Sequence, residues 1–372
     1  MKRKNGSAKD LWSQLYANLA RSENAALVDP DHNDSDEIAK LQKALNDAGW
    51  PDSFVQEVIS KQRPILAHVS ETNPGINPTI EPIFDRLCDD VEAAMDRLKL
   101  ESHARVARGI EPRAWAYASK TNVILTDESI ITVSAFLFRF CGLVARAFTR
   151  TLLLEPDCWD GKAFDDRQIK MHLSERVDLI QYWMSIYTSF SLTGTHVFTA
   201  FKPSRPHELI LFEQIARSME IFVIAHEYGH HHYAHGKSLG DDPHTEEFQA
   251  DQFALRICYE VERNSTEYPN PYLSSGAGGI IMLMALETLR EVEIIFGAVQ
   301  SGNIDTHPPI NSRLTKFNTV AVLKPQEFRW LMSYRMAASR VMRTVHSVIM
   351  PLFKQMPEQF VKQVSELRVH RE

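Results

Sequence analysis

Five histidines and one glutamate lie within the ten residues His226–His235, which read HEYGHHHYAH. His226 and His230 are four residues apart, so a helix places both imidazoles on one face, about 6 Å apart, which suits two ligands of one zinc ion. Glu227 follows the first histidine. In the HExxH arrangement this glutamate is not a ligand, and its carboxylate faces the water bound to zinc. It can accept the proton that the water loses when it attacks a carbonyl. The alternative is a histidine-rich surface end of a helix.

A third ligand is predicted from the next stretch, DDPHTEEFQADQFAL. Asp242 can cap a helix that has Pro243 in its first turn. On that helix Glu247 and Asp251 are four residues apart and share a face. Glu247 can therefore complete the zinc site, while Asp251 accepts a hydrogen bond from the far nitrogen of a ligand histidine. His235 is predicted to lie about a quarter-turn from the ligand face and to be a poor third ligand. The alternative for the two carboxylates is a solvated acidic face.

Residues outside these two helices add further candidates. His307 opens the run HPPINSR and either donates to the oxyanion of a tetrahedral intermediate or caps the helix begun by Pro308 and Pro309. Arg313 either pairs with Asp251 or another buried carboxylate, or is a surface arginine. The remaining histidines of the cluster are predicted to face solvent or to support the ligands: His231, His232 and His235.

The elements that must position these residues are mostly helical. Apolar spacing predicts a helix over Ile80–Leu98 and a long helix from residue 207 that carries the histidine cluster on its last turns and stops at Gly236. Residues 114–130 alternate around a polar SKTN turn, which predicts a β-hairpin. Residues 131–193 are predicted to be mostly helical, and 196–203 to be a strand. The GAGG run (276–279) is predicted to let two helices approach closely.

Composition and charge narrow the class of protein. The 372 residues are 44% hydrophobic and 24% charged, as in a soluble globular protein, and the net charge of −7 argues against nucleic acid or an anionic membrane as partner. The apolar segments 131–148 and 279–299 both contain charges, so we expect buried helices and no membrane span. No apolar core of a signal peptide follows the N-terminus, and the four cysteines form no CxxC pair. A cytoplasmic protein is therefore expected.

Several motifs together resemble a known group of enzymes. HEYGH followed by EFQAD resembles the gluzincin pattern HExxH…ExxAD. The flanking Gly229 and His231 also resemble the HtpX and CAAX-prenyl-endopeptidase group. The 114–130 hairpin is similar to the strand pair that precedes the active-site helix in that group, and THPPINSRL (306–314) is similar to its THPxxxxRI element. The matching elements span roughly 110–315 in the order of that group, and a looser resemblance extends to soluble Lit-type phage-exclusion peptidases.

The sequence also departs from that group. Its members usually have transmembrane helices or a secretion signal, and neither is evident here. Arg113, Ala114 and Trp115 replace the Asn–Ala–Phe of the first strand, and His232 stands where a hydrophobic residue is usual. The insertion between hairpin and active-site helix is long. The resemblance is therefore to a soluble, divergent relative.

The expected fold is α+β and predominantly helical: a zincin-like metallopeptidase domain with a small β-sheet and an active-site helix. We expect an N-terminal helical region (1–75), the metallopeptidase domain (76–350) with its helical insertion (about 131–193), and a C-terminal helical tail (351–372).

The expected function is that of a zinc-dependent endopeptidase acting on an intracellular protein substrate, with one zinc ion per chain and Glu227 as general base. This function could take the form of a regulated protease of stress or phage defence. An activating or inhibitory protein partner would then switch it. The alternative is a non-catalytic module, a sensor or interaction domain in which zinc only staples two helices. A structural site does not need Glu227, which favours the enzyme.

Overall fold

The structure, a computed structural model, describes residues 80–100, 105–111, 116–123, 126–152, 165–193, 206–237, 242–265, 269–297, 307–319 and 325–356, with isolated positions before residue 80. The predicted strand at 196–203 lies outside the described residues, as do almost all of region 1–75 and most of the tail 351–372. Within the described residues the chain forms a small three-stranded sheet and many helices, which confirms the predicted α+β, predominantly helical class. The helices are α1 (Ile80–Arg97), α2 (Ala135–Thr151), α3 (Asp166–Glu175), α4 (Val177–Thr193), α5 (Pro206–His232), α6 (Pro243–Arg263), α7 (Pro271–Ser275), α8 (Ala277–Ile295), α9 (Ile310–Thr319) and α10 (Pro325–Lys354).

The sheet has the strand order β1-β3-β2, where β1 is Val106–Glu111, β2 is Ala118–Asn122 and β3 is Ser129–Ser134. β3 runs parallel to β1, with Val106 opposite Ser129, and antiparallel to β2, with Ala118 opposite Val133. All of β3 is buried, because it is the central strand and is covered on both faces. β1 was not predicted from the sequence.

The predicted hairpin is present, but it lies further along the chain than the sequence suggested. The prediction of a turn at SKTN (119–122) is wrong, because these residues form β2. Their polar side chains find partners across the molecule: Lys120 Nζ and Asn122 Nδ2 donate to the carbonyl oxygen of His235 at 2.7 and 3.1 Å. The connection between β2 and β3 runs instead through residues 123–128.

The helical insertion also begins later than predicted. Residues 131–134 belong to β3, and helix α2 starts at Ala135. The side chain of Ser134 accepts a hydrogen bond from the Phe136 backbone N–H, which caps the helix at this point.

Helix α5 lies at the centre of the fold and packs against α6, α2 and α8. The close approach predicted for the GAGG run is confirmed. A Cβ added to Gly278 would lie 2.4 Å from the Ser218 Cβ, and one added to Gly279 would lie 2.5 Å from the Phe222 ring. Only glycine permits such contacts, so this pair brings α8 against the face of α5 that leads to the histidine cluster.

Among the described residues, no helix is long and apolar enough to cross a membrane. Segment 131–148 lies wholly within β3 and α2, and most of segment 279–299 forms α8. Both contribute many buried side chains to the interior, so their apolar character is explained by packing within the protein.

Candidate metal centre

Two histidines one turn apart near the end of α5 direct the same ring atom towards a common point. Nε2 of His226 and Nε2 of His230 are 3.0 Å apart. His226 is 8% exposed. The arrangement is the one expected for two ligands of a single ion placed on one helical face.

Helix α6 brings the third candidate ligand because it passes very close to α5. A Cβ added to Gly229 would lie 3.0 Å from the Ala250 Cα and 3.2 Å from the Ala250 carbonyl oxygen. This approach lets Oε1 of Glu247 come within 3.3 Å of His230 Nε2, and Oε2 within 3.5 Å of His226 Nε2. The glycine before the second histidine therefore has a direct packing reason.

The start of α6 fixes which of its side chains face α5. The Asp242 side chain accepts hydrogen bonds from the backbone N–H groups of His244 and Thr245, and Pro243 occupies the first turn, as predicted. Because the helix begins at this point, Glu247 lies in the buried interface with α5. Asp251 is one helical turn further on and lies in the same interface.

The donor set fits a divalent metal ion such as zinc. Ligand atoms of His226, His230 and Glu247 all lie within 4.8 Å of one another, and two imidazoles with one carboxylate are typical of catalytic zinc sites that keep a position open. Oε2 of Glu247 is buried and, among the described residues, receives no hydrogen bond of acceptable geometry. An unsatisfied buried carboxylate oxygen is costly. A cation at the convergence point would satisfy it.

The electrostatics of these side chains favour positive charge at the same point. Burial lowers the pKa of His226, but the charge of Glu247 and the hydrogen bond to Asp251 outweigh burial and raise that pKa to about 10. Burial also disfavours the ionised Glu247 carboxyl. The charge of His226 and the close approach of the His226, His230 and His307 rings nevertheless hold its pKa well below the usual range.

Asp251 and Arg313 stand behind the first histidine. His226 Nδ1 is 3.1 Å from Asp251 Oδ1, so the imidazole can donate its Nδ1 proton to the carboxylate and keep Nε2 free for a metal. Arg313 donates to both oxygens of Asp251, with Nε 2.8 Å from Oδ2 and Nη2 2.6 Å from Oδ1. Arg313 Nη1 also lies 3.4 Å from Glu247 Oε2. The buried guanidinium thereby links Glu247 and Asp251 of α6.

Glu227 faces a cleft beside the candidate ligands. It is 9% exposed and lines a cleft of about 450 Å³ that also reaches His226 and Glu247. Residues 116–118, at the start of β2, line one part of this cleft, and α8 from Met282 to Ile294 lines another. The carboxylate that could act as a base, the candidate ligands and a space for substrate therefore adjoin one another.

His307 lies at the mouth of the same cleft, where its side chain is 45% exposed. Its Nδ1 is 3.0 Å from Glu247 Oε2, while α9 begins three residues later at Ile310. The ring is therefore within reach of a group bound beside the candidate ligands. Its predicted role as an oxyanion donor stays a prediction.

The other histidines of the cluster are more enclosed than expected. His231 and His235 are each 6% exposed, so neither faces solvent, and of the two roles predicted for them only support of the ligands stays open. His231 Nδ1 is 2.8 Å from the Ser129 hydroxyl, which joins α5 to the central strand. His235 Nδ1 is 2.9 Å from His230 Nδ1. His232 is half-buried, with its ring 5.2 Å from that of Phe253.

The contact of His235 was missed from the sequence because its position was extrapolated along a continuous helix. Helix α5 ends at His232, and Ala234 adopts a φ of +55°. The chain consequently turns back, and the His235 ring meets His230 rather than lying a quarter-turn away. The sequence predicts the stop at Gly236, a residue typical of helix C-termini, but the helix ends four residues before it.

Comparison with known proteins supports a peptidase. A family described as Peptidase U49 matches residues 201–333, a segment that contains α5, α6 and the candidate ligands. Neither the curated proteins nor the solved structures include a match to the chain. The description of the matching family does not name the gluzincin, HtpX or Lit-type groups, so those resemblances stay predictions from motifs. The match supports a peptidase, that is, a hydrolase, and covers little more than a third of the chain.

Proposed function

We propose that the chain is a zinc-dependent endopeptidase with His226, His230 and Glu247 as its metal ligands and Glu227 as its general base. The observation that carries the proposal is the convergence of three ligand atoms from two helices beside a cleft that Glu227 also lines. The Peptidase U49 match over the same helices supports the reaction class. A zinc ion that only joined two helices would need neither the cleft nor Glu227.

The reaction would use the residues as follows. Bound zinc would polarise the scissile carbonyl and make water more acidic. Glu227 would accept one proton from the attacking water as its oxygen bonds to the carbonyl carbon. The same carboxyl would then deliver that proton to the departing amine as the C–N bond breaks. Asp251 and Arg313 would hold His226 in position throughout, and His307 would donate to the carbonyl oxygen as negative charge develops there.

The cleft suits an extended peptide. β2 is an edge strand of the described sheet, and residues 116–118, which lead into this strand, line the cleft. An edge strand presents unpaired backbone groups that can pair with another chain, which gives affinity without fixing the side chains of the substrate. We therefore propose a segment of a protein, in extended conformation, as the substrate.

The decisive experiment is Glu227→Gln. The amide keeps the size of the side chain but cannot accept the proton. Zinc content should stay near one ion per chain while cleavage of denatured casein or of proteins in a cell extract falls by at least about a hundredfold, the usual contribution of general base catalysis. Glu213→Gln, on the same helix but several turns away, is the matched control and should cleave normally. Cleavage retained in Glu227→Gln would reject the mechanism.

The natural substrate can be sought with the same pair of variants. The wild-type chain and Glu227→Gln are expressed in the same cells, and newly formed protein N-termini are compared by mass spectrometry. Termini that appear only with the wild-type chain identify substrates. Because the comparison is made in cells, it also detects an enzyme that requires an activating partner and is inert when purified.

A further inference from the structure

The second candidate ligand, His230, is contacted by His235, for which the sequence left a supporting role open. Its Nδ1 is 2.9 Å from Nδ1 of His235, and Nε2 of His235 is 2.8 Å from Oε1 of Gln249 on α6. These contacts form a chain of three side chains that leads from the surface of α6 to the metal centre. Gln249 is exposed, whereas His235 is buried.

The chemistry of the three groups fixes where the protons lie. An amide oxygen can only accept, so His235 must carry its proton on Nε2 and donate to Gln249. In the neutral ring Nδ1 of His235 then has a free lone pair, which accepts the Nδ1 proton of His230. Nε2 of His230 is left without a proton and points at His226 and Glu247.

The backbone at His235 is held from two sides. Its carbonyl oxygen accepts from Lys120 Nζ and Asn122 Nδ2 of β2, at 2.7 and 3.1 Å. The next residue, Gly236, donates its N–H to Glu246 Oε1 of α6 at 2.8 Å. These contacts secure a turn in which Ala234 has positive φ, a conformation that costs about 1 kcal/mol or more for an L-residue with a side chain. A constrained turn held by both β2 and α6 is suited to placing one side chain accurately.

We propose that His235 is a positioning residue for the ligand His230, with Gln249 orienting His235 in turn. This inference rests on the proposed metal centre. It gives each histidine ligand its own support, because Asp251 holds His226 through a carboxylate whereas His235 holds His230 through a neutral imidazole. Neither His235 nor Gln249 would touch the substrate.

A competing reading is a second cation held by His230, His235 and Glu246, whose ligand atoms also lie within 4.8 Å of one another. The hydrogen bonds argue against it. Nδ1 of His235 is already engaged by Nδ1 of His230, and Glu246 Oε1 already accepts from a backbone N–H. A second ion would also require His230 to lose its Nδ1 proton while Nε2 binds the first ion. The hydrogen-bonded chain of His230, His235 and Gln249 gives these side chains partners without removing the Nδ1 proton of His230.

The test measures zinc affinity of the metal-free protein by competition with a chromophoric chelator. Loss of a group that orients a metal ligand typically weakens binding 10- to 100-fold. His235→Phe keeps a ring of similar size but accepts no hydrogen bond, so we expect a loss in this range. Gln249→Leu should weaken binding by about tenfold. Gln249→Glu keeps an acceptor for His235 and should restore affinity. His232→Gln, in the same histidine cluster, is the control and should bind zinc normally.

Cobalt provides a readout that general destabilisation would not reproduce. With Co²⁺ bound, His235→Phe and Gln249→Leu should shift the visible spectrum, because it reports ligand geometry, while Gln249→Glu should retain the wild-type bands. If His235→Phe does not fold, the two variants at the exposed position Gln249 still decide the question.

The outcomes separate this inference from the proposed function. A wild-type chain that binds no zinc overturns both. A wild-type chain that binds one zinc ion, with unchanged affinity and cobalt spectrum in the His235 and Gln249 variants, overturns the positioning role and leaves the metal centre intact. Two zinc ions per wild-type chain, one of them lost in His235→Phe, would establish the second cation site instead.

Discussion

Replacing Asp251 with asparagine removes the carboxylate that holds Arg313 in the interior. The Asp251 side chain is 1% exposed and that of Arg313 is 8% exposed, so water does little to screen the pair. Loss of one partner from a buried ion pair costs about 3–5 kcal/mol, because the other charge is left uncompensated. Arg313 keeps a second carboxylate, Glu247, at 3.4 Å. We therefore expect a loss near the lower end, about 3 kcal/mol.

The measurement is the free energy of unfolding of the metal-free protein in urea, for Asp251→Asn, Arg313→Met and the double variant. Replacing a whole buried pair by neutral groups is often nearly neutral. The double variant should therefore lose less than the sum of the single losses, with a coupling energy of about 2 kcal/mol or more. Zinc affinity of Asp251→Asn should fall 10- to 100-fold, because His226 loses its charged acceptor.

The matched control is an ion pair of the same chemistry at the surface. Arg176 donates to both oxygens of Asp178 at 2.9 and 2.8 Å, with the two side chains 42% and 61% exposed. Asp178→Asn should cost less than about 1 kcal/mol. If Asp251→Asn costs no more than this control, and its effect adds to that of Arg313→Met without coupling, the reasoning from burial fails.

Two further predictions concern the packing of α5 and the burial of Lys120. Gly229→Ala should lower the free energy of unfolding by about 1–3 kcal/mol and weaken zinc binding, because the added methyl group meets Ala250. In the same urea titration the control Gly142→Ala should stabilise the chain slightly, because nothing lies within 4 Å of the added methyl group. Equal effects of the two substitutions would contradict the packing argument. Lys120 should react with acetic anhydride with a midpoint near pH 8, because burial lowers its pKa to about 8. At that pH an ordinary lysine is only about 0.4% neutral, so a labelling midpoint near 10 would contradict the burial.

The helical part of the site could be predicted because its geometry is local. The spacing of four between His226 and His230, and again between Glu247 and Asp251, fixes their faces whatever the rest of the chain does. The cap at Asp242 is equally local, since the side chain bonds to backbone groups two and three residues on. Such features depend on a few neighbouring residues, and the sequence contains all of them.

The sheet and the turn after α5 could not be predicted in the same way, because distant residues determine them. Lys120 and Asn122 are poor strand formers by composition, yet both find an acceptor in a carbonyl group more than a hundred residues later. β1 is held partly by Arg108, which pairs with Asp89 and Glu92 of α1. Local propensity contains no information about these partners, so the alternation in 114–130 indicated a hairpin but not its register.

The charge balance of the centre gives a reason, independent of the motif, to expect a positive charge where the metal ion would bind. Glu247 and Asp251 are both buried, and Arg313 is the buried guanidinium that they share. One carboxylate charge therefore needs a further cation, since an uncompensated buried charge costs several kcal/mol. Protonated His226 can supply it when no metal is bound, as its raised pKa indicates. A divalent ion would supply this positive charge while both histidines stay neutral and their Nε2 atoms act as ligands. The same residues that would bind zinc therefore also require a positive charge at that point.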